Sequence, residues 1–89
     1  MISKNITIIN KLGLHARAAA KLVQLASRFE CEFFVSKDGR QVNGKSIMGV
    51  MMLSASKGTI IQIAAEGVDE SEAMDEIESL IKQKFGEKE

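Results

Sequence analysis

Thr59-Ile60-Ile61-Gln62-Ile63-Ala64-Ala65-Glu66 runs into Gly67-Val68-Asp69-Glu70-Ser71-Glu72-Ala73-Met74-Asp75-Glu76-Ile77-Glu78-Ser79-Leu80-Ile81, and the apolar period changes between the two. In the first stretch Ile61, Ile63 and Ala65 alternate against Ile60, Gln62 and Ala64, the two-residue repeat of a strand. In the second, Ala73, Met74, Ile77, Leu80 and Ile81 fall on one stripe of a 3.6-residue helix. Asp69 and Glu72 stand at capping-box spacing ahead of it, and Gly86 with the charged tail is expected to end it.

The same two periods recur upstream. Ile2, Ile6 and Ile8 alternate with Ser3, Asn5 and Thr7, which predicts a half-buried strand. Lys11-Leu12-Gly13-Leu14 breaks it, and a helix is expected from Ala16 to about Phe29, with Ala19, Leu22, Val23, Ala26 and Phe29 on its apolar face. Glu30–Ser36 reads as a second strand, with Cys31, Phe33 and Val35 on one side. Lys37-Asp38-Gly39-Arg40 signals a hairpin turn into a short strand over Arg40–Asn43. Gly44-Lys45-Ser46 closes that strand, and Ser46 is placed to N-cap a short helix from Ile47 to about Leu53. The predicted order is β-α-β-β-α-β-α. Two long amphipathic helices need one apolar sheet face to cover, so the fold class is α+β: a two-layer open-faced sandwich whose antiparallel four-stranded sheet is covered by helices on one face.

Eighty-nine residues suffice for a single domain over 1–89. A composition of 45% hydrophobic and 27% charged residues is globular rather than disordered. The lone Cys31 cannot form an internal disulfide and is read as a small buried residue. Nothing at Met1-Ile2-Ser3-Lys4 resembles a signal peptide, and no apolar run suits membrane insertion, so a cytoplasmic location is expected. Twelve basic and twelve acidic residues cancel, but unevenly. Residues 1–65 hold nine Lys/Arg against three Asp/Glu, and residues 66–89 hold three against nine. One basic and one acidic region are expected if the fold keeps them apart.

Chemistry concentrates in Gly13-Leu14-His15-Ala16-Arg17, which holds the only histidine. The periodicity puts His15 at or just before the first turn of the first helix, where free N–H groups and the positive dipole end favour an anion. Imidazole is nucleophilic near neutral pH, and Arg17 offers a planar fork of donors to a phosphate. By itself, a lone histidine near a helix start is usually an ordinary surface or capping residue. No Ser/His/Asp set, cysteine–histidine pair or metal-ligand cluster accompanies it, so neither a metal nor a cofactor is expected.

Gly13-Leu14-His15-Ala16-Arg17 resembles the phosphohistidine signature of the HPr family of histidine-containing phosphocarriers. Lys45-Ser46-Ile47-Met48-Gly49-Val50-Met51 is similar to that family's serine-site motif. The two lie at the family's spacing, and the element order fits its open-faced sandwich over essentially the whole chain. The resemblance implies that His15 takes a phosphoryl group on Nδ1 from phosphorylated enzyme I, charged by phosphoenolpyruvate. It implies transfer onward to a histidine of an enzyme IIA domain, with Arg17 stabilising the group in transit. Ser46 would be the regulatory site of an HPr kinase/phosphorylase where one exists.

One position departs from the pattern: the family usually has proline after the arginine, and this chain has Ala18. Alanine keeps the helix and adds a donor, so transfer is expected to survive. The branch stays open between sugar uptake and a nitrogen-related regulatory phosphorelay.

Val50 and Leu53 are the better core candidates of the short helix, while Ile47, Met48, Met51 and Met52 are too many for it to bury. The resemblance makes these four, with Ala16, Ala20, Lys21 and Lys45, a docking surface for enzyme I and enzyme IIA. Arg17, Lys21 and Lys45 would supply its basic rim. The carrier is expected to be a monomer.

Three other classes compete. An RNA-recognition module shares the β-α-β-β-α-β order but needs exposed aromatic residues; with four Phe, no Tyr and no Trp, only Phe34 qualifies, and no nucleic-acid partner is expected. A self-contained enzyme would need an acid–base pair or a phosphate loop, and Val42-Asn43-Gly44-Lys45-Ser46 keeps only the last three residues of one. The third is a regulatory adaptor that signals through its phosphorylation state, which can coexist with transfer.

Overall fold

Alternation in the first segment produces β1 (Ile2–Thr7), where Ile2, exposed Lys4 and buried Ile6 share the helix side of the strand and lie opposite Ala65, Ile63 and Ile61 of β4 (Ile60–Glu66). The computed structural model describes all residues 1–89. Between these strands come α1 (Ala16–Ala26), β2 (Glu32–Lys37), β3 (Arg40–Asn43) and α2 (Ile47–Met52); after them comes α3 (Glu70–Lys82). The sheet runs β1-β4-β2-β3 and every pairing is antiparallel. β4, last in sequence, therefore sits centrally and joins the first strand to the β2–β3 hairpin.

Register sorts the side chains. Val42, Val35 and Ile63 form one inward row and Phe33 and Ala65 another, under the helices. The opposite face presents Asn5, Gln62, Ser36 and Gln41, which suits an uncovered side. α1 buries Ala18, Ala19, Leu22, Val23 and Ala26, and α3 buries Ala73, Met74, Ile77 and Ile81, in one cluster of 22 core residues. The sandwich and its element order are as the sequence predicts.

Four details differ. α1 ends at Ala26, and Phe29 reaches the core from the turn that follows, where its N–H donates to the Ala26 carbonyl. β2 starts two residues late, at Glu32, and β4 one late, at Ile60. The expected capping box at α3 does not form. Asp69 makes no side-chain cap; its carboxylate accepts the N–H groups of Glu30 and Cys31 at 2.8 and 2.9 Å, tying the α1–β2 connection to the start of α3. Those two donors have no ladder partner, so they compete successfully for the carboxylate.

The fourth difference is the C-terminal end: α3 stops at Lys82, ahead of Gly86, and the tail then folds back onto the domain. Lys84, Phe85 and Gly86 all have positive φ, reversing the chain, and Phe85 is completely buried. Left-handed backbone at the two non-glycine residues, Lys84 and Phe85, costs about 1–2 kcal/mol each. Burial of a Phe returns about 1.5–3 kcal/mol. Lys21 Nζ donates to the Phe85 carbonyl at 2.7 Å, and further tail bonds run Gly86 N–H to Gln83 and Glu87 N–H to Lys84. Lys11 holds Glu89: its backbone N–H donates to the Glu89 carbonyl and its ammonium pairs with the Glu89 carboxylate.

This return also decides the fate of the charge asymmetry. Met1–Glu70, Lys4–Glu78, Lys11–Glu89 and His15–Glu87 all join the first fifteen residues to the last twenty. The acidic segment is folded onto the basic one rather than held apart from it.

Candidate functional site

Leaving β1, the chain is pinned to the loop before β4. Ile8 N–H donates to Thr59 and Leu14 N–H to Ala55, while Gly58 N–H donates back to Ile8. Gly13 turns with φ +67°, and a Cβ there would lie 2.4 Å from the Ala55 carbonyl oxygen, so only glycine passes. Asn10 is fully buried and donates from Nδ2 to the Gly13 carbonyl at 2.8 Å. A rigid bend thus delivers the next residue, His15, to the start of α1.

His15 is the N-cap of α1 in extended geometry (φ −75°, ψ 178°), and its side chain does not cap the helix. Its carbonyl accepts from Ala19, the first intrahelical bond, and the N–H groups of Ala16, Arg17 and Ala18 have no acceptor within the protein. Three free donors and a positive helix end therefore stand beside a part-exposed imidazole, which can act as a nucleophile held next to an anion-binding position. Arg17 is exposed and makes no ion pair. A shallow surface pocket gathers Lys11, Leu12, His15, Ala16, Arg17, Glu87 and Glu89.

Glu87, which no sequence motif singles out, joins the site from the C-terminal tail. His15 Nε2 lies 2.5 Å from Glu87 Oε2, and Asn10 Nδ2 donates to Oε1 of the same carboxylate at 2.9 Å. The Asn10 hydrogen bond foremost, then the His15 bond and charge and the Lys21 ammonium, hold the Glu87 carboxyl below its ordinary range against the opposing effect of burial. The only sequence signal for this contact was Phe85-Gly86, an aromatic anchor and a turn residue after the last helical repeat.

Ser46 occupies its expected place. It N-caps α2 in extended geometry, and its Oγ accepts the Gly49 N–H at 3.1 Å. Val50 and Leu53 are buried, whereas Ile47, Met48, Met51 and Met52 are 41, 71, 38 and 53% exposed. Ala16 is exposed and Ala20 half-buried. The expected basic rim is altered. Lys21 Nζ is committed to the Phe85 carbonyl and Lys45 Nζ to that of Phe29 at 2.8 Å, leaving Arg17 the one member without a protein partner. Both lysines are half-buried beside backbone carbonyls that lack other donors, which explains their recruitment. The pocket around His15 includes neither Ser46 nor a methionine. No group of three His, Cys, Asp or Glu side chains is placed to hold a metal, and no helix is long and apolar enough to cross a membrane.

Comparison with known proteins gives a consistent result. The family model for the phosphotransferase-system (PTS) HPr component phosphorylation site matches residues 2–83. The phosphocarrier protein HPr of Neisseria meningitidis serogroup A is 55% identical over 87 residues, which is 98% of each chain. Among solved structures, HPr-C-His from Thermoanaerobacter tengcongensis superposes with a TM-score of 0.96 at 49% identity, covering both chains completely. An HPr dimer from the same organism gives 0.79 at 50% identity, covering 98% of this chain and all of that one.

Proposed function

The chain belongs to the HPr family of PTS phosphocarriers, and from that premise we propose that it takes a phosphoryl group on His15 Nδ1 from phosphorylated enzyme I and passes it to a histidine of an enzyme IIA domain. The observation that carries this reading is the uncapped start of α1. The imidazole stands beside three N–H donors that nothing in the protein satisfies. With Nε2 occupied by Glu87, Nδ1 is the ring nitrogen left for phosphorus. Arg17, unpaired and lining the same pocket, supplies charge-assisted bonds to the phosphoryl oxygens.

The protein is a substrate of its partners rather than an enzyme. It works in the cytoplasm, as a monomer and as one unit. Ile47, Met48, Met51 and Met52 form the apolar centre of the docking surface, with Ala16 and Ala20 at its α1 edge and Lys21 and Lys45 contributing charge. Short-lived transfer complexes need rapid encounter more than tight binding, which suits exposed methionines with a few cations around them.

A regulatory role through Ser46 is a second reading, supported by its position at the start of α2. A phosphate on Oγ adds about two negative charges at a helix N-terminus, where they are tolerated. The fold should stay intact while the neighbouring docking surface changes sign.

The test is to mix the protein with phosphoenolpyruvate and a bacterial enzyme I and follow intact mass for wild type and His15→Ala. One acid-labile phosphate on wild type and none on the variant is the expected result. Failure with enzyme I of both the sugar and the nitrogen branch would overturn the reading.

A further inference from the structure

The tail contact at His15 has a definite chemical polarity. An ionised carboxylate only accepts hydrogen bonds, so the 2.5 Å contact requires the proton on Nε2 of His15. A neutral ring with its proton on Nε2 carries its lone pair on Nδ1. The carboxylate is itself oriented. Asn10 is fully buried, its Nδ2 bridges the Gly13 carbonyl and Glu87 Oε1, and its Oδ1 has no partner. The amide cannot be turned round, because Oδ1 would then face two acceptors. An unpartnered buried oxygen costs about 1–3 kcal/mol, and it is tolerated here in exchange for holding Glu87 and the Gly13 bend together.

We infer that Glu87, fixed by Asn10, is a positioning residue for phosphoryl transfer: it selects the Nε2–H tautomer of His15 and raises the nucleophilicity of Nδ1. The inference rests on the carrier reading given above. In the transfer step the Nδ1 lone pair forms the new N–P bond while the N–P bond of the donor phosphohistidine breaks, its electron pair returning to the donor ring. The Nε2 proton stays on His15. As phosphorus bonds to Nδ1 the ring gains positive character, and the Nε2–H bond to Glu87 strengthens.

The same electronic effect makes Nδ1 a poorer leaving group, so Glu87 should also slow loss of the phosphoryl group. Carboxylates behind metal-bound histidines act in this way, fixing the tautomer and raising basicity, and their removal costs about 10–100-fold. A side chain that merely anchored the tail would not move acceptance and loss in opposite directions.

The experiment compares wild type, Glu87→Gln, Glu87→Asp and Asn10→Ala, using phosphoenolpyruvate and catalytic enzyme I. Three quantities are read: the acceptance rate, the hydrolysis rate of the isolated phosphorylated protein, and the His15 tautomer from 15N chemical shifts of the unmodified protein. Glu87→Gln keeps the length of the side chain but offers one oxygen where two donors converge. It should slow acceptance about tenfold, speed hydrolysis and let the Nδ1–H tautomer appear. Glu87→Asp should recover part of each effect, and Asn10→Ala should shift each in the direction of Glu87→Gln by less. Wild-type rates and an unchanged tautomer in Glu87→Gln would overturn the inference while leaving the carrier reading standing. If wild type itself takes no phosphate, the carrier reading fails, and a wild-type tautomer in Glu87→Gln then overturns the inference as well.

Discussion

α1 and α2 begin alike, each behind an N-cap residue in extended backbone, and differ in what that residue does with its side chain. Ser46 folds its hydroxyl onto the Gly49 N–H, so the start of α2 is partly satisfied from within. The His15 side chain gives nothing to α1: its ring turns to Glu87 and leaves the N–H groups of Ala16, Arg17 and Ala18 without acceptors. A capped start is a stability device. An uncapped one is a standing demand for an anion, and here a nucleophile lies next to it.

The largest expected effect comes from making the first start resemble the second. His15→Ser should abolish phosphate acceptance entirely; the new cap contributes about 1 kcal/mol of stability, offset by loss of the bond to Glu87. Intact mass after treatment with enzyme I and a urea unfolding curve would read both. Next is Gly13→Ala, which puts a side chain at positive φ against the Ala55 carbonyl. A loss of more than about 1 kcal/mol is expected, with slowed acceptance because the bend that presents His15 shifts. Thermal unfolding with a phosphorylation time course checks it. Ser46→Ala should cost about 1 kcal/mol through the lost cap and leave the rate of His15 phosphorylation unchanged.

The smallest effect is one of pH. The Glu87 carboxyl is held below its ordinary value in the folded protein, chiefly by Asn10 and then by His15 and Lys21. Its contribution to stability is therefore present above the ordinary carboxylate range and fades as pH falls through the depressed value. The stability difference between wild type and Glu87→Gln should shrink as melting is measured from neutral pH downward.

Much of this was legible in the sequence, for a physical reason that also marks where legibility stops. Period and turn chemistry are local, so Ile61-Gln62-Ile63, Asp38-Gly39 and the stripe from Ala73 to Ile81 place strands, hairpin and helix without tertiary information. His15 and Ser46 as N-caps follow from the same local logic. Glu87 is different. It meets His15 across 72 positions, and a Glu-Lys-Glu tail looks the same whether it frays or docks. What docks it is the burial of Phe85 and its carbonyl's bond to Lys21, both of which need the packed core to exist first. Asp69 fails in the same way: its spacing to Glu72 suits a local cap, but the unpaired N–H groups of Glu30 and Cys31 become its partners once the sheet forms.

The central claim is that the uncapped start of α1 receives the phosphoryl group. The most direct test is a 15N–1H correlation spectrum of the protein before and after charging with phosphoenolpyruvate and enzyme I. The account predicts that the largest amide shifts fall on Ala16, Arg17 and Ala18, with the Gly49 amide of α2 unmoved. Phosphorylation that leaves those three amides in place, or that moves the Gly49 amide instead, would contradict it.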